Sequence, residues 1–176
     1  MRYDPTRHDS YADDVIHGIL KSVKSIALVG FSSNTVRPSY FVTKYLIERG
    51  YKVYPVNPGL AGQEFFGAKV YATLADIPDA IDMVEIFRNS EAADPITDEA
   101  LSLQPIPKVI WMQLGVRNDE AAAKAEAKGI TVIMNRCPKI EYGRFSGEIG
   151  WNGVNTGLLS SKRPMLGAKS WQKRTI

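Results

Sequence analysis

The sequence predicts an α/β fold in which helices flank one doubly wound parallel sheet of about five strands. The main evidence is a set of five short, continuously apolar runs, the pattern of strands that are buried on both faces. The runs begin about 20 to 30 residues apart, which leaves room for the crossovers that parallel strands need and hairpins do not. They cover residues 26–30, 52–56, 82–87, 109–114 and 130–134.

An amphipathic helix is predicted ahead of the first strand, over residues 10–24, with Ser10 and Asp13 forming a capping box. After the first strand, Pro38 is expected to open a second helix, because proline is favoured at the first helical position. Gly50 is expected to close it, since glycine readily adopts the left-handed conformation that follows many helices.

The later crossovers differ in character. Residues 57–67 are predicted to form a loop, followed by a short strand near Val70 and a brief helix over residues 73–77. Ser90 is expected to cap a helix that reaches about residue 103. An alanine-rich helix is expected to start at residue 118 or 119 and to end at residue 128.

The composition is that of one globular domain. The 176 residues are 44% hydrophobic and 23% charged, which excludes the disordered, collagenous and coiled-coil classes. A chain of this length buries about 70% of the surface that its unfolded form exposes, so its core needs neither disulfides nor a structural metal. The single cysteine, Cys137, agrees with this. We therefore predict one domain over residues 1–148 and an irregular, basic, partly flexible C-terminal extension over residues 149–176.

The net charge of +3 comes from that extension. Residues 162–176 carry five basic residues and no acidic one, which leaves the preceding part of the chain mildly acidic. A mildly acidic domain argues against a broad nucleic-acid-binding face. The basic tail itself is compatible with a solvated terminus or with an interaction arm.

The N-terminal residues carry no recognisable targeting signal. The first fourteen residues contain four aspartates and lack the apolar stretch of a signal peptide. No apolar run approaches the roughly 20 residues that a membrane span needs. With a single cysteine as well, the sequence predicts a cytoplasmic protein whose partners include neither a membrane nor a nucleic acid.

Doubly wound sheets bind ligands beyond the C-terminal ends of their strands, so the segment after the first strand is the first candidate site. There Gly30 allows a tight turn, Arg37 offers a forked cation, and the helix that opens at Pro38 presents free backbone amides. Hydroxyl groups come from Ser32, Ser33 and Ser39. This segment is interpreted either as a phosphate-binding turn or as a polar turn that only caps the helix.

The fingerprint of dinucleotide-binding proteins is not satisfied. Counted from Gly30, its second and third glycines would fall at Ser32 and Thr35. The acidic ribose partner at the end of the second strand is replaced by Asn57 and Pro58. A nicotinamide or flavin cofactor is therefore disfavoured, and so is a P-loop site, because no Gly-Lys-Ser/Thr sequence is present.

Five motifs close or follow the predicted strands. They are residues 26–32, 55–58, 84–88, 111–115 and 135–141. Taken together and in this order, they resemble the motifs of small stand-alone CoA-binding proteins, which are Rossmann-like relatives of the CoA-binding domain of succinyl-CoA synthetase α chains and of other acyl-CoA ligases. The resemblance spans about residues 20–145 and implies that residues 1–148 form a Rossmann-like domain that binds coenzyme A or an acyl-CoA.

The resemblance also implies an arrangement of the ligand. The diphosphate would lie on the first turn, the adenosine towards the ends of the second and third strands, and the pantetheine arm towards the fourth and fifth. Gly59 stands where the ligase domains carry a lysine that meets a CoA phosphate, so Arg37, Arg88 or Lys69 would have to compensate. The implied binding residues are Gly30, Phe31, Ser32, Ser33, Arg37, Pro38, Ser39, Asn57, Pro58, Phe87, Arg88, Gln113, Gly115, Asn135 and Cys137.

Several of these residues allow a second interpretation. Phe87 suits adenine stacking or core packing, whereas Arg88 closes a buried strand and therefore needs a partner. Cys137 is interpreted as a reactive thiol, with Arg136 and Lys139 lowering its pKa and a mixed disulfide with the CoA sulfur as the outcome, or as an inert small hydrophobe.

No catalytic constellation is present in the sequence. The two histidines, His8 and His17, precede the first strand, and no Ser-His-acid order, HExxH or CxxC occurs. We therefore expect a non-catalytic carrier, sensor or partner subunit, which could form a homo-oligomer or bind an enzyme. The alternatives are an NAD(P)-binding redox protein and an interaction module whose nucleotide pocket is vestigial.

Overall fold

A computed structural model describes residues 4–147, and it contains five α-helices and seven strands within that range. In chain order they are α1 (Asp13–Ser22), β1 (Ser25–Val29), α2 (Pro38–Glu48), β2 (Lys52–Val56), β3 (Glu64–Phe65), β4 (Ala68–Lys69), β5 (Met83–Ile86), α3 (Ser90–Leu101), β6 (Val109–Met112), α4 (Asp119–Ala127), β7 (Thr131–Ile133) and α5 (Pro138–Phe145).

Five of the strands form one parallel sheet in the order β2-β1-β5-β6-β7. All five predicted strands are confirmed, each within two residues of its expected bounds. From β1 the chain passes to β2 on one side, and it then returns to enter β5 on the other side of β1. The strand order therefore reverses between β1 and β5, and a crevice opens at their C-terminal ends, where sheets of this kind bind ligands.

Helices cover both faces of the sheet, so the predicted doubly wound α/β class is confirmed. On one face, α3 and α4 pack through fully buried small residues, among them Ala93, Ala100 and Ala121. On the other face, α1, α2 and α5 pack through larger side chains around Trp111, whose indole N–H donates to the carbonyl of Arg136 at 2.9 Å. Both faces of each strand are thus buried, which explains the continuous apolar runs.

The N-terminal helix begins later than the sequence suggests. α1 starts at Asp13, with Ala12 at the N-cap position and no side-chain cap, so the predicted capping box is wrong. The residues before it form a short 3₁₀ turn, Pro5–His8, which Asp4 caps by accepting from the amide of Thr6 at 3.0 Å. Tertiary contacts of this segment prevail over the local capping signal.

The second crossover contains more structure than the predicted loop. A 3₁₀ turn, Pro58–Leu60, leads into a two-stranded hairpin of β3 and β4, which agrees with the predicted short strand near Val70. The expected helix over residues 73–77 is wrong, because this segment forms only bends and a turn. In this segment the amide of Leu74 donates to the carboxylate of Glu99 at 2.7 Å.

The later helices agree with expectation except at their ends. α3 is capped by Asn89, which accepts from the amide of Ala92, and not by Ser90 as predicted. α4 is capped by Asn118, as expected. α5 was not predicted, although its first residue, Pro138, is a typical helix opener.

The predicted C-terminal extension, residues 149–176, lies outside the described residues. None of the helices within residues 4–147 has both the length and the apolar character that crossing a bilayer demands.

Candidate functional site

A cleft of about 990 Å³ lies at the C-terminal ends of the strands, across the point where the strand order reverses. Eleven of the predicted site residues line it: Gly30, Phe31, Ser32, Arg37, Pro38, Ser39, Asn57, Pro58, Phe87, Arg88 and Gln113. The structure does not place the other four on its lining: Ser33, Gly115, Asn135 and Cys137.

Gly30 brings the turn after β1 against the turn after β5. Its φ is +94°, a left-handed conformation that side chains disfavour. A Cβ atom at this position would lie 3.0 Å from Cδ of Arg88 and 3.1 Å from the carbonyl carbon of Phe87. Only a glycine therefore fits between the two turns that form the base of the cleft.

Asn57 joins the turns after β1 and β2. Its side-chain amide donates to the carbonyl of Phe31 at 2.7 Å, and its Oδ1 accepts from the amide of Gly59 at 2.8 Å. The residue that replaces the acidic ribose partner of dinucleotide-binding proteins is thus used to fix the geometry of the cleft wall.

Two guanidinium groups on the cleft make no ion pair and no side-chain hydrogen bond within residues 4–147. They belong to Arg37, just before α2, and to Arg88, at the end of the turn after β5, and both side chains are exposed. By contrast, Arg117 pairs with Asp9 at 2.7 Å, and Arg144 pairs with Glu141 at 2.8 Å. Unpaired arginines on a concave surface are typical of anion-binding sites.

The start of α2 strengthens this positive character. No side chain caps it, whereas asparagines cap both α3 and α4. The first amides of a helix point outward without intrahelical partners and carry the positive end of the helix dipole. At α2, Pro38 has no N–H and the amide of Tyr40 donates to the carbonyl of Arg37 at 3.1 Å, so an anion bound beside Arg37 would be met by the amide of Ser39.

Two phenylalanines at the cleft differ in exposure. The side chain of Phe31 is fully buried and packs against Phe65, with ring centroids 5.1 Å apart. Phe87 is half-buried on the cleft wall. Of the two, Phe87 is the one whose ring remains accessible to a ligand.

Sequence reasoning missed Glu99, the one carboxylate on the described cleft lining. It lies on α3 together with Ala92, Pro95 and Ile96, which also line the cleft. These positions recur at the three- and four-residue spacing of one helix face, and that spacing is the signal that could have found them. Glu99 accepts from the amide of Leu74 and so holds the preceding segment of the chain at the cleft edge.

A buried polar pair lies where β5 and β6 approach the cleft. The side-chain amide of Gln113 donates to Glu85 at 3.1 Å, and Oε1 of Gln113 accepts from the amide of Leu114 at 2.8 Å. Glu85 is fully buried and faces no cation among the described residues, and this burial raises the pKa of its carboxyl well above the ordinary value. The Glu85 carboxyl, whose charged form is disfavoured by burial, therefore supports the Gln113 side chain.

The environment of Cys137 decides between its two interpretations, a reactive thiol and an inert small hydrophobe. The residue is 1% exposed, and burial, followed by the nearby Glu85, raises the pKa of its thiol to about 12. The two cations that were expected to lower this pKa point elsewhere. The guanidinium of Arg136 lies over the ring of Tyr11, and the ammonium group of Lys139 lies over the ring of Tyr45. The thiolate is thus strongly disfavoured, which contradicts the interpretation as a reactive thiol and supports that as an inert small hydrophobe.

Asn135 and Gly115 support each other next to the cleft. Asn135 adopts a left-handed φ of +53°, and its Oδ1 accepts from the amide of Gly115 at 2.8 Å.

Within residues 4–147, no group of three or more histidine, cysteine, aspartate or glutamate side chains is arranged to hold a metal ion.

Comparison with protein families gives a match to a family described as a CoA binding domain, over residues 24–143. An uncharacterized Bacillus subtilis protein, YneT, is 38% identical over 127 residues, which are 72% of this chain and 91% of that protein. The alpha subunit of an ADP-forming acetate–CoA ligase of Pyrococcus furiosus is 36% identical over 80 residues. Those residues are 43% of this chain but only 17% of that subunit.

Solved structures of similar proteins share the fold. A protein from Pyrococcus horikoshii is 37% identical, with a TM-score of 0.73 over 84% of this chain and 99% of that one. A protein from Thermus thermophilus is 34% identical, with a TM-score of 0.71 over 76% of this chain and 98% of that one. In both cases nearly the whole of a small protein matches the described domain.

Proposed function

The chain belongs to the CoA-binding domain family, and from this premise we propose that the cleft between β1 and β5 binds coenzyme A or an acyl-CoA. The observation that carries the proposal is the pair of unpaired guanidinium groups, Arg37 and Arg88, beside the uncapped start of α2. Together they offer two forked cations and the amide of Ser39 to the two charges of a diphosphate.

The remaining lining residues fit the other parts of such a ligand. The half-buried ring of Phe87 offers a stacking surface for an adenine, and Asn57 fixes the turn beside it. Gln113, held by Glu85 and by the amide of Leu114, lies on the side where a pantetheine arm would run. Four predicted binding residues do not line the cleft, and we propose no direct contact between them and the ligand. They are Ser33, Gly115, Asn135 and Cys137.

The proposed role is to hold the ligand without chemistry of its own, as a carrier, a sensor or a partner subunit. The relation to a segment of an acetate–CoA ligase alpha subunit supports the last of these. In that case an enzyme would supply the reacting groups and this chain would present the bound CoA to them. The alternative is an NAD(P)-binding redox protein that uses the same cleft. The two functions are distinguished by whether the protein binds CoA or NAD(H) more tightly.

A thermal-shift titration of the full-length protein with coenzyme A and acetyl-CoA tests the proposal. A ligand at 100 times its dissociation constant stabilises the folded state by about 2.7 kcal/mol. At roughly 2–4 °C per kcal/mol for a chain of this size, the melting temperature should rise by several degrees. The absence of any shift at millimolar concentrations would contradict the proposal, and a larger shift with NAD(H) would favour the redox alternative.

The diphosphate assignment makes a residue-specific prediction. Arg37→Ala should weaken CoA binding about tenfold or more, because a charge-assisted hydrogen bond contributes about 1.5–3 kcal/mol. The melting temperature without ligand should stay unchanged, since Arg37 is exposed and unpaired within the described residues. Isothermal titration calorimetry measures the affinity. Lys128→Ala, which removes an exposed cation at the C-terminal end of α4, is the matched control and should bind CoA as the unmodified chain does.

A further inference from the structure

The charges on the cleft lining suit a diphosphate better than they suit a third phosphate. Within the described residues, Arg37 and Arg88 are the only cations on the lining, and both belong to the turns after β1 and β5. The turn after β2 adds Asn57, Pro58 and then Gly59, none of which is charged. Lys69, a conceivable substitute, does not line the cleft, and its ammonium group lies over the ring of Tyr71.

Glu99 brings a negative group to this lining. Its Oε1 accepts from the amide of Leu74 at 2.7 Å, which orients the carboxylate and fastens the segment of Ala72 and Thr73 to the cleft edge. Its second oxygen, Oε2, has no hydrogen-bond partner within residues 4–147. The carboxylate is therefore held in place with an acceptor atom still available.

A carboxylate with a free acceptor prefers hydroxyl groups and disfavours phosphates. Ionised carboxylates accept hydrogen bonds only, so a ribose hydroxyl is a suitable partner whereas a phosphate oxygen is not. The charge of a phosphate placed nearby would also be repelled. Proteins that bind dinucleotides use an acidic side chain at the end of the second strand for the ribose, and here the acid comes from α3 instead.

We propose that Glu99 binds a ribose hydroxyl and that the cleft recognises an ADP group whose ribose hydroxyls are free. Dephospho-CoA, which lacks the 3′-phosphate of coenzyme A, then binds at least as tightly as coenzyme A. This inference rests on the proposed function, because it assumes that a CoA-type ligand occupies the cleft. It assigns to Glu99 the role of a specificity-determining residue.

Calorimetric titration of the full-length protein with coenzyme A, dephospho-CoA and NAD⁺ tests the inference. The unmodified chain should bind dephospho-CoA with an affinity equal to or greater than that for coenzyme A. In Glu99→Gln, which keeps the acceptor for the amide of Leu74 but loses the charge, dephospho-CoA should bind about three- to tenfold more weakly and coenzyme A should bind more tightly. The order of the two affinities should therefore reverse.

Glu120→Gln is the matched control, because it removes an exposed carboxylate from the first turn of α4, outside the cleft lining. It should leave the ratio of the two affinities unchanged. Tighter binding of coenzyme A to the unmodified chain, or an unchanged ratio in Glu99→Gln, would overturn the inference but not the proposed function. Preferential binding of NAD⁺ that is weakened by Glu99→Gln would support the ribose assignment and overturn the choice of CoA. If none of the three ligands binds, both proposals are overturned.

Discussion

Glu85 is a carboxyl group on β5, the middle strand of the sheet, and it is fully buried. Its Oε1 accepts from Gln113, while its Oε2 has no hydrogen-bond partner within the described part of the chain. Burial disfavours the charged form, so the folded protein holds this carboxyl protonated at pH values where the unfolded chain ionises it. The folded-state pKa is thus raised above the ordinary value of 4.5.

This shift predicts a pH-dependent effect of Glu85→Gln. A raised folded-state pKa contributes stability that is fully present below about pH 4.5 and is lost as the pH rises through the folded-state pKa. Between the two pKa values the free energy of unfolding falls by up to about 1.4 kcal/mol per pH unit. Glutamine is neutral at every pH and still accepts from Gln113, so the variant should gain stability relative to the unmodified chain as the pH rises.

Urea denaturation at pH 4.5, 6 and 8 measures the difference in the free energy of unfolding between the two proteins. The difference should widen steadily with pH. Glu91→Gln, an exposed carboxylate in the first turn of α3, serves as the control and should give a nearly constant difference. Parallel stability curves for Glu85→Gln and the unmodified protein would show that Glu85 is ionised in the folded state.

At the scale of elements, Tyr11 connects the N-terminal segment from Asp4 to Ala12 to the end of the edge strand β7. The hydroxyl of Tyr11 accepts from the amide of Met134 at 2.7 Å, directly after β7. Its own proton is then available for Nδ1 of His8, 2.9 Å away, which places the histidine proton on Nε2, facing Glu126. This contact holds the N-terminal segment against the strand end that leads into α5.

Tyr11→Phe should therefore destabilise the protein by about 1–3 kcal/mol, because the buried amide of Met134 loses its acceptor and His8 loses its donor. Chemical denaturation at neutral pH measures the loss. Tyr40→Phe is the matched control, since the hydroxyl of Tyr40 has no hydrogen-bond partner within residues 4–147. Its effect should be small, and an equal loss in both variants would refute the structural role of the Tyr11 hydroxyl.

The same scale shows what local sequence could and could not predict. Strands between two layers of helices must be apolar on both faces, so the sequence shows them as continuous apolar runs. The ends of these runs then locate Gly30 and Asn57 at the ends of strands. α5 escaped notice because its two turns mix charged and apolar residues over too short a length to establish a helical period. Glu99 was missed although it shares one face of α3 with other cleft residues, because the spacing alone does not show that this face lines the cleft or that Glu99 contacts Leu74, 25 residues earlier in the chain.

Capping errors have the same origin. Ser10 and Ser90 are suitable caps by residue type, but Ala12 and Asn89 occupy the N-cap positions. At the start of α3, Ser90 is used differently, since its hydroxyl accepts from the amide of Arg117 and its carbonyl accepts from Asn118. At the start of α3, long-range hydrogen bonds therefore use the side chain that the local pattern assigned to the cap, although the hydrophobic pattern correctly indicates that the helix exists.

At the scale of the whole molecule, charge and ligand recognition are assigned to different parts of the chain. The net charge of +3 by itself indicates a polyanionic partner. However, residues 162–176 contribute five basic residues, so the excess of positive charge belongs to the extension and not to the described domain. The cleft, in contrast, draws on two arginines, one helix start and one carboxylate within the described domain. Deleting the basic residues should therefore weaken the binding of a polyanion but not the binding of a small anionic ligand in the cleft.

Deleting residues 162–176 changes the net charge from +3 to −2 and leaves every described cleft residue in place. If the cleft is the CoA site, the truncated protein should bind coenzyme A with an affinity within about twofold of the full chain, because it retains every described residue of the cleft lining. Retention on a heparin column should fall sharply, since binding to heparin depends on the basic residues.

A full-length variant with the five basic residues replaced by glutamine is the control, and it distinguishes the loss of charge from the loss of the segment itself. Loss of CoA binding in both proteins would instead make the basic residues part of the site, and loss in the deletion alone would make the remaining residues of the extension part of it.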